Sequence, residues 1–311
     1  MQELILADNS ILLPNQGIDQ SLYNRFFNFI DVKSKSIETY KRALRQFFKY
    51  MQKEVISRPE RQDVLAFREK LKETLKPATV QAYIVAVRLF FKWLDQEGIY
   101  KNIAENIKGA KINIEHKKDS LTTNQVKTVL NNINQDTLQG KRDYAIFTLM
   151  LVGGLRTIEV NRANYDDLRT LGDNTVLYIQ GKGKEEKTDY IKLPHKVEQA
   201  LRAYIKEARI KNPKAPLFQS TSNNNKSARI STRTISGIIK SYLVASGYDN
   251  DRLTAHSLRH TAGTLNLKQG GTLEETQQLL RHSNINTTMI YLHHLERENN
   301  NSETRIAEAI F

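Results

Sequence analysis

No cysteine occurs in the 311 residues. This excludes disulfide staples, thiolate-bound metals and a cysteine nucleophile. The opening stretch, MQELILADNS, has neither the basic region nor the long apolar run of a secretory signal. No apolar run approaches the ~20 residues that a membrane span needs. The sequence therefore points to a soluble, cytoplasmic protein with no membrane partner. Internal repeats and extensive low-complexity segments are missing as well. Hydrophobic residues make up 39% and charged residues 26%, an ordinary globular balance rather than a disordered one. The length suits two domains, each with its own core.

Positive charge is what the chain has in excess. Against 34 Asp and Glu stand 47 Lys and Arg, a net +13. Such an excess favours a polyanionic partner, most simply nucleic acid; a soluble protein that is merely basic is the plain alternative. The charge is spread along the chain. Residues 1–119 hold 21 basic and 15 acidic side chains, net +6, and residues 120–311 hold 26 and 19, net +7. A single basic tail would look different. The even split suits a protein that grips its partner with both halves.

Hydrophobic periodicity divides the chain. After a leader, residues 1–18, the stretch 19–107 reads as a four-helix domain. Leu22, Phe26, Phe29 and Ile30 mark the first apolar stripe. Ser34 or Ser36 offers a cap for a second helix striped by Tyr40, Leu44, Phe47, Phe48 and Met51, with Arg42, Arg45 and Lys49 on its other side. A third helix opens near Arg61, and a fourth runs from Pro77 to Gly98. Residues 108–120, KGAKINIEHKKDS, read as a linker. Its lysines, among them Lys111, Lys117 and Lys118, either lie along phosphates or are simply solvated. Residues 121–298 form the second domain, mainly helical. Its one β-hairpin, 175–180 and 188–193, surrounds the basic tip Gly181-Lys-Gly-Lys-Glu-Glu-Lys187. Residues 299–311 read as a polar break and a last short helix capped by Ser302.

Four short motifs carry the chemistry. In Leu253-Thr-Ala-His-Ser-Leu-Arg-His-Thr261, the residues His256, Arg259 and His260 share one helical face, with Thr254 as N-cap. An Arg and two His at a helix N-terminus suit an anion. Two His four apart also match half of a zinc-protease pattern, but Ser257 stands where the Glu would be, so no metal site is expected. Structural histidines are the third reading. In Gly153-Gly-Leu-Arg156-Thr-Ile-Glu159, Glu159 can orient the Arg156 guanidinium; alone, such a pair is usually a surface one. Lys182 lies on the hairpin tip. Finally His282 precedes Tyr291 by nine residues, a spacing that means little by itself.

Together and in this order, G-L-R-T-I-E around Arg156, G-K-G at Lys182, H-S-L-R-H at 256–260 and H-S-N-I-N-T-T-M-I-Y at 282–291 resemble the tyrosine recombinase family of phage integrases, Cre-like enzymes and Xer recombinases. The region 19–107, with S-I-E-T-Y-K-R-A-L at 36–44, is similar to the family's core-binding domain. The resemblance implies an α+β protein, mainly helical with a small sheet: an N-terminal SAM-like core-binding domain and a C-terminal catalytic domain. It implies that Tyr291 attacks a DNA phosphate to give a 3′-phosphotyrosine, with Arg156 and Arg259 on the phosphoryl oxygens and His256 handling the tyrosine proton. It also implies that His282 bonds a phosphate oxygen and that Lys182 protonates the departing 5′-oxygen. Lys184 is the rival for that last role. Glu159 and His260 would be supporting residues, or His260 wholly structural. No cofactor, metal or ATP is implied. The implied partners are double-stranded DNA core sites, four copies of the chain on two duplexes, and a possible accessory or directionality protein.

The chain departs from the family pattern in three places. Arg281 stands where the family often has Gly, either contacting DNA or facing solvent. H-S-L-R-H-T looks more like integrases of mobile elements than typical Xer proteins. An arm-binding domain is not expected ahead of the first helix. The terminal helix would dock in trans on a neighbouring protomer, or in cis. Integration or excision of a mobile element is the first biological expectation and Xer-type dimer resolution the second. A non-catalytic DNA-binding factor on the same fold, or a topoisomerase-like relaxing enzyme, are the alternatives of another kind.

Overall fold

A computed structural model describes residues 12–13, 17–18, 20–111, 119–181, 183–298 and 300–311. The leader expected at 1–18 therefore lies mostly outside the described residues, as do Lys117, Lys118 and Lys182. The chain divides into two compact units, 1–114 and 115–311.

In the first unit Leu12–Leu13 (β1) pairs antiparallel with Gly17–Ile18 (β2). Four helices follow: α1 (Gln20–Phe29), α2 (Ser34–Lys53), α3 (Arg61–Thr74) and α4 (Pro77–Gln96). Pro77 opens α4 where its missing N–H costs nothing, and Gly98, at φ +66°, ends it. At the head of α3 the Glu60 N–H donates to the Asp63 carboxylate. The apolar stripes of α2, α3 and α4 meet in one core with Leu22 and Phe26, joined by Ile103, Ala104 and Ile107 from the segment after α4. Aromatic rings dominate this core. Phe26 meets Phe90 edge-on at 5.2 Å, Phe47 meets Phe91 at 5.8 Å, and Trp93 lies 5.6 Å from Phe26. Each fully buried ring of this size contributes about 1.5–3 kcal/mol.

Two local expectations are corrected. Phe29 is 55% exposed, because α1 ends there and the ring rests on the edge of Trp93 instead of entering the core. Neither Ser34 nor Ser36 caps α2: Lys33 holds the N-cap position, and both serines lie within the first turn.

The second unit holds α5 (Thr123–Asn131), α6 (Leu138–Val152), α7 (Thr157–Arg162), a sheet, and α8 (His195–Glu207), α9 (Thr232–Ala245), α10 (Ala255–Lys268), α11 (Leu273–Leu280), α12 (Asn286–Glu298) and α13 (Ser302–Ile310). The sheet has β3 (Leu168–Leu171), β4 (Asn174–Ile179) and β5 (Asp189–Lys192), all antiparallel in the order β3-β4-β5. Leu177 pairs with Ile191, and both join the helical core; on the other face Tyr178 meets Tyr190 at 5.7 Å. Strand β3, LRTL, lacks apolar alternation and has no counterpart among the strands expected from the sequence. Pairing with β4 and the turn at Gly172, φ +58°, hold it in place.

Helix α6 runs through the core and is buried almost all round. Its one buried charge pair, Arg142 and Asp143, is satisfied. Arg142 donates to Asp143, to the Gln219 carbonyl and to Thr221 Oγ1, and the Tyr242 hydroxyl completes Asp143. Helix α13 has no buried residue, and Ser302 starts it without capping it. Among the described residues no helix is long and apolar enough to cross a membrane.

Candidate active site

Three chain reversals build the site. The first is the turn that ends α6. Gly154 has φ +56°, and a Cβ there would meet Leu280 Cδ2 at 2.8 Å. Only glycine lets the turn press this close to α11. Leu155 is buried beyond it, and Arg156 opens α7. The Arg156 N–H and its Nη1 donate to the two oxygens of Glu159 at 2.8 and 2.9 Å. Glu159 is fully buried, whereas Arg156 is part-exposed. The guanidinium is thus aimed outward by a carboxylate that cannot move.

The second reversal leads into α10, where the Thr254 N–H donates to Ser257 Oγ at 3.0 Å. This helix start puts His256 outward and Arg259 inward. Arg259 is 1% exposed, and its guanidinium donates to the carbonyls of Gly154, at 2.6 Å, and of Leu280. Burial, then the nearby Arg156 and Arg281, push its pKa down to about 9, with Glu159 opposing. It stays charged at neutral pH, but at an electrostatic cost that a bound anion would relieve. The rings of His256 and His260 meet edge-on at 4.7 Å.

The third reversal joins α11 to α12. Arg281 ends α11 in the left-handed region, and His282 follows. His282 Nδ1 lies 2.9 Å from Thr288 Oγ1, and its carbonyl accepts from Gln277 Nε2. Burial first, then Arg259, Arg156, Arg281 and His256, push its pKa down to about 4, so the ring is neutral at pH 7. On α12, Tyr291 is 4% exposed and packs with Ala262 and Leu280. Its ring stacks on His282 at 6.4 Å and lies 5.3 Å from His260. Gly263 leaves room for Leu280 beneath the ring: a Cβ there would lie 2.9 Å from Leu280 and in ordinary contact, 3.5 Å, with the tyrosine. Burial pushes the Tyr291 hydroxyl up to about 12, with Arg259 and Arg156 pulling the other way.

The fold thus gathers Arg156, Glu159, His256, Arg259, His260, His282 and Tyr291 from separate segments around one tyrosine. Other residues picked out from the sequence lie elsewhere. Lys182 is outside the described residues. Lys184, its rival, pairs with Asp189 at 2.8 Å. Arg42, Arg45 and Lys49 are exposed along one side of α2, and Lys111 is exposed after the first unit's core. Arg281, read from the sequence as contacting DNA or facing solvent, does not face solvent: its side chain is 11% exposed. Its guanidinium is turned inward, onto Glu159 at 3.0 Å and the carbonyls of Gly153, Gly154 and Leu279. Thr288 is the residue that sequence reasoning misses. It is fully buried, and its six-residue separation from His282 spans a turn, so no periodicity signals the contact.

The profile of the Phage integrase family matches residues 119–298, and that of the phage integrase N-terminal SAM-like domain matches residues 24–98. The tyrosine recombinase XerC of Caldanaerobacter subterraneus subsp. tengcongensis is 35% identical over 199 residues, 63% of this chain and 52% of the relative, so the match spans about half of that protein's length. XerC of Thermodesulfovibrio yellowstonii is 28% identical over 290 residues, 88% of this chain and 92% of the relative. Among solved structures, the XerH site-specific recombinase bound to palindromic difH substrate, a post-cleavage complex, superposes with a TM-score of 0.71 at 20% identity, over 92% of this chain and 90% of that one. With the motif residues brought around one tyrosine and the family profile spanning the unit that holds them, the chain belongs to the phage integrase family, the tyrosine recombinases.

Proposed function

We propose that this chain is a site-specific DNA recombinase that cuts and rejoins DNA through a 3′-phosphotyrosine. The supporting observation is the surrounding of Tyr291: a buried hydroxyl beside two histidine rings and within the field of two arginines. In the reaction the Tyr291 oxygen bonds to phosphorus and the bond from phosphorus to the 5′-oxygen breaks. With its pKa near 12 the phenol is neutral at rest, so its proton leaves as attack proceeds. His256 receives that proton. Lys182 gives one to the departing 5′-oxygen. Arg156 and Arg259 meet the negative charge that gathers on the non-bridging oxygens. Neutral His282 adds a hydrogen bond rather than a charge. The covalent bond stores the phosphodiester energy, so rejoining is the same path reversed.

The Thr288 hydroxyl fixes the ring of His282. Thr288→Val keeps the shape and removes that bond. Its expected effect is a cleavage rate about 10-fold lower with DNA affinity unchanged, read by single-turnover cleavage alongside a gel shift. An unchanged rate would leave His282 oriented by something else.

Four copies acting on two duplexes are part of this reading, and α13 supports it. Ile306, Ile310 and Phe311 are 59%, 67% and 103% exposed, and a nine-residue helix does not hold itself in water. Docking on the adjacent copy would cover them. Removing residues 302–311 should leave single-site binding intact and abolish the tetrameric complex, as read by analytical ultracentrifugation with DNA. A tetramer that survives the truncation would place the helix in cis.

Integration or excision of a mobile element is the first biological reading, on the H-S-L-R-H-T motif at 256–261. Dimer resolution is the second, favoured by the relatives named XerC. The setting is the DNA of the cell that makes the protein, in the cytoplasm. Sequencing the DNA crosslinked to the protein in its host distinguishes the two: sites at element ends support the first, one site near the replication terminus the second. A nicked duplex of the recovered site then tests the chemistry. The protein should become trapped on it in a bond that survives detergent. Tight binding without any trapping would instead leave a DNA-binding factor.

A further inference from the structure

Arg281 combines two costly features. Its backbone, φ +51° and ψ +50°, lies in the left-handed region, where glycine is at ease and a side chain is strained. Its charge is also almost out of water: the side chain is 11% exposed, and its Nε has no hydrogen-bond partner. Strain and desolvation in one residue persist where the surroundings over-determine it, most often at a functional site.

The acceptors explain what holds it. Nη1 donates to the carbonyls of Gly153 at 3.1 Å and Leu279 at 2.6 Å, and Nη2 to Gly154 and to Glu159 Oε2, both at 3.0 Å. Two of these acceptors are shared with the arginines proposed for the phosphate. The Gly154 carbonyl also takes Arg259, and the Glu159 carboxylate also takes Arg156. One guanidinium therefore ties the turn after α6, the carboxylate under Arg156 and the end of α11 together, immediately before His282.

We propose that Arg281 is a positioning residue for phosphate cleavage. It clamps the Gly153-Gly154 turn and Glu159 so that Arg156, Arg259 and His282 are held in one arrangement, and it adds a positive charge beside those of Arg156 and Arg259. The inference rests on the recombinase reading above.

The test uses the full chain with Arg281→Gly, which relaxes the turn while deleting the fork, and Arg281→Lys, which keeps the charge and loses the planar geometry. Trapping on the nicked site is measured at saturating protein, and DNA affinity at several salt concentrations. Arg281→Gly should trap about 10–100-fold more slowly with affinity within about 2-fold, and Arg281→Lys should recover part of the loss. A second readout needs no DNA. His282 is faced by Arg259 and His256 from α10, Arg156 at the start of α7, Tyr291 and Thr288 from α12, and Arg281 beside it. Deleting one positive charge from this set should move the His282 titration, followed by NMR, to higher pH in Arg281→Gly and hardly at all in Arg281→Lys. Unchanged trapping with weaker affinity and a shallower salt dependence would make Arg281 a phosphate contact and overturn the proposal. So would trapping and titration both like the parent. Trapping by the unmodified chain is the control for the recombinase reading; the titration judges Arg281 whichever way that control falls.

Discussion

Tyr291→Phe should abolish the detergent-resistant adduct on a nicked site and leave DNA binding within about 2-fold of the parent. The separation follows from where the ring sits. Its packing with Ala262 and Leu280 involves carbons that phenylalanine keeps. Deleting one neutral hydroxyl from a buried site costs about 1–3 kcal/mol at most, a small change beside the chemical one. The chemistry has no such latitude. Without a phenolic oxygen no protein–phosphorus bond forms at this position. The expected rate is therefore the uncatalysed one, many powers of ten below the parent. An adduct that persists in Tyr291→Phe would move the nucleophile to another residue.

Arg259→Met should lower trapping by at least about 10³-fold while changing stability much less than its deep burial suggests. Methionine fills a similar volume. It leaves the Leu280 carbonyl without its guanidinium, a loss of about 1–3 kcal/mol, but Gly154 keeps a donor in Arg281. Against that loss stands a gain: a dehydrated charge beside Arg156 and Arg281 disappears, and burial of such a charge is itself unfavourable. Arg259→Ala lacks the compensating volume and should destabilise by a further ~2 kcal/mol or more through the cavity. Urea unfolding of the two variants, set beside their single-turnover rates, separates the catalytic loss from the structural one. A rate within about 10-fold of the parent in Arg259→Met would remove this arginine from the phosphate.

The two variants also show which parts of the site the sequence makes legible. Arg156, His256, Arg259, His282 and Tyr291 stand at helix starts or at fixed offsets along a helix, and local order survives folding. The start of α4 is legible for the same reason, since Pro77 acts within one turn. What fails to show depends on contacts between distant segments. Arg281 reads as a surface charge because nothing local reveals that Glu159, 122 residues earlier, will accept it. Strand β3 has the composition of a loop and becomes a strand only because β4 offers it a partner. Phe29 reads as core because the helical period continues through it, whereas the helix does not.

Trp93 carries a last consequence. It is the chain's single tryptophan, and it is buried in the aromatic core of the first unit with Arg25 over its ring at 5.7 Å. Its emission therefore reports the melting of one unit and is blind to the other. The unit that holds Tyr291 has tyrosines as its only strong ultraviolet fluorophores. Unfolding followed by tryptophan fluorescence and by far-ultraviolet dichroism should coincide if the two units melt together and part if they do not, so the chain comes with its own means of telling one cooperative transition from two.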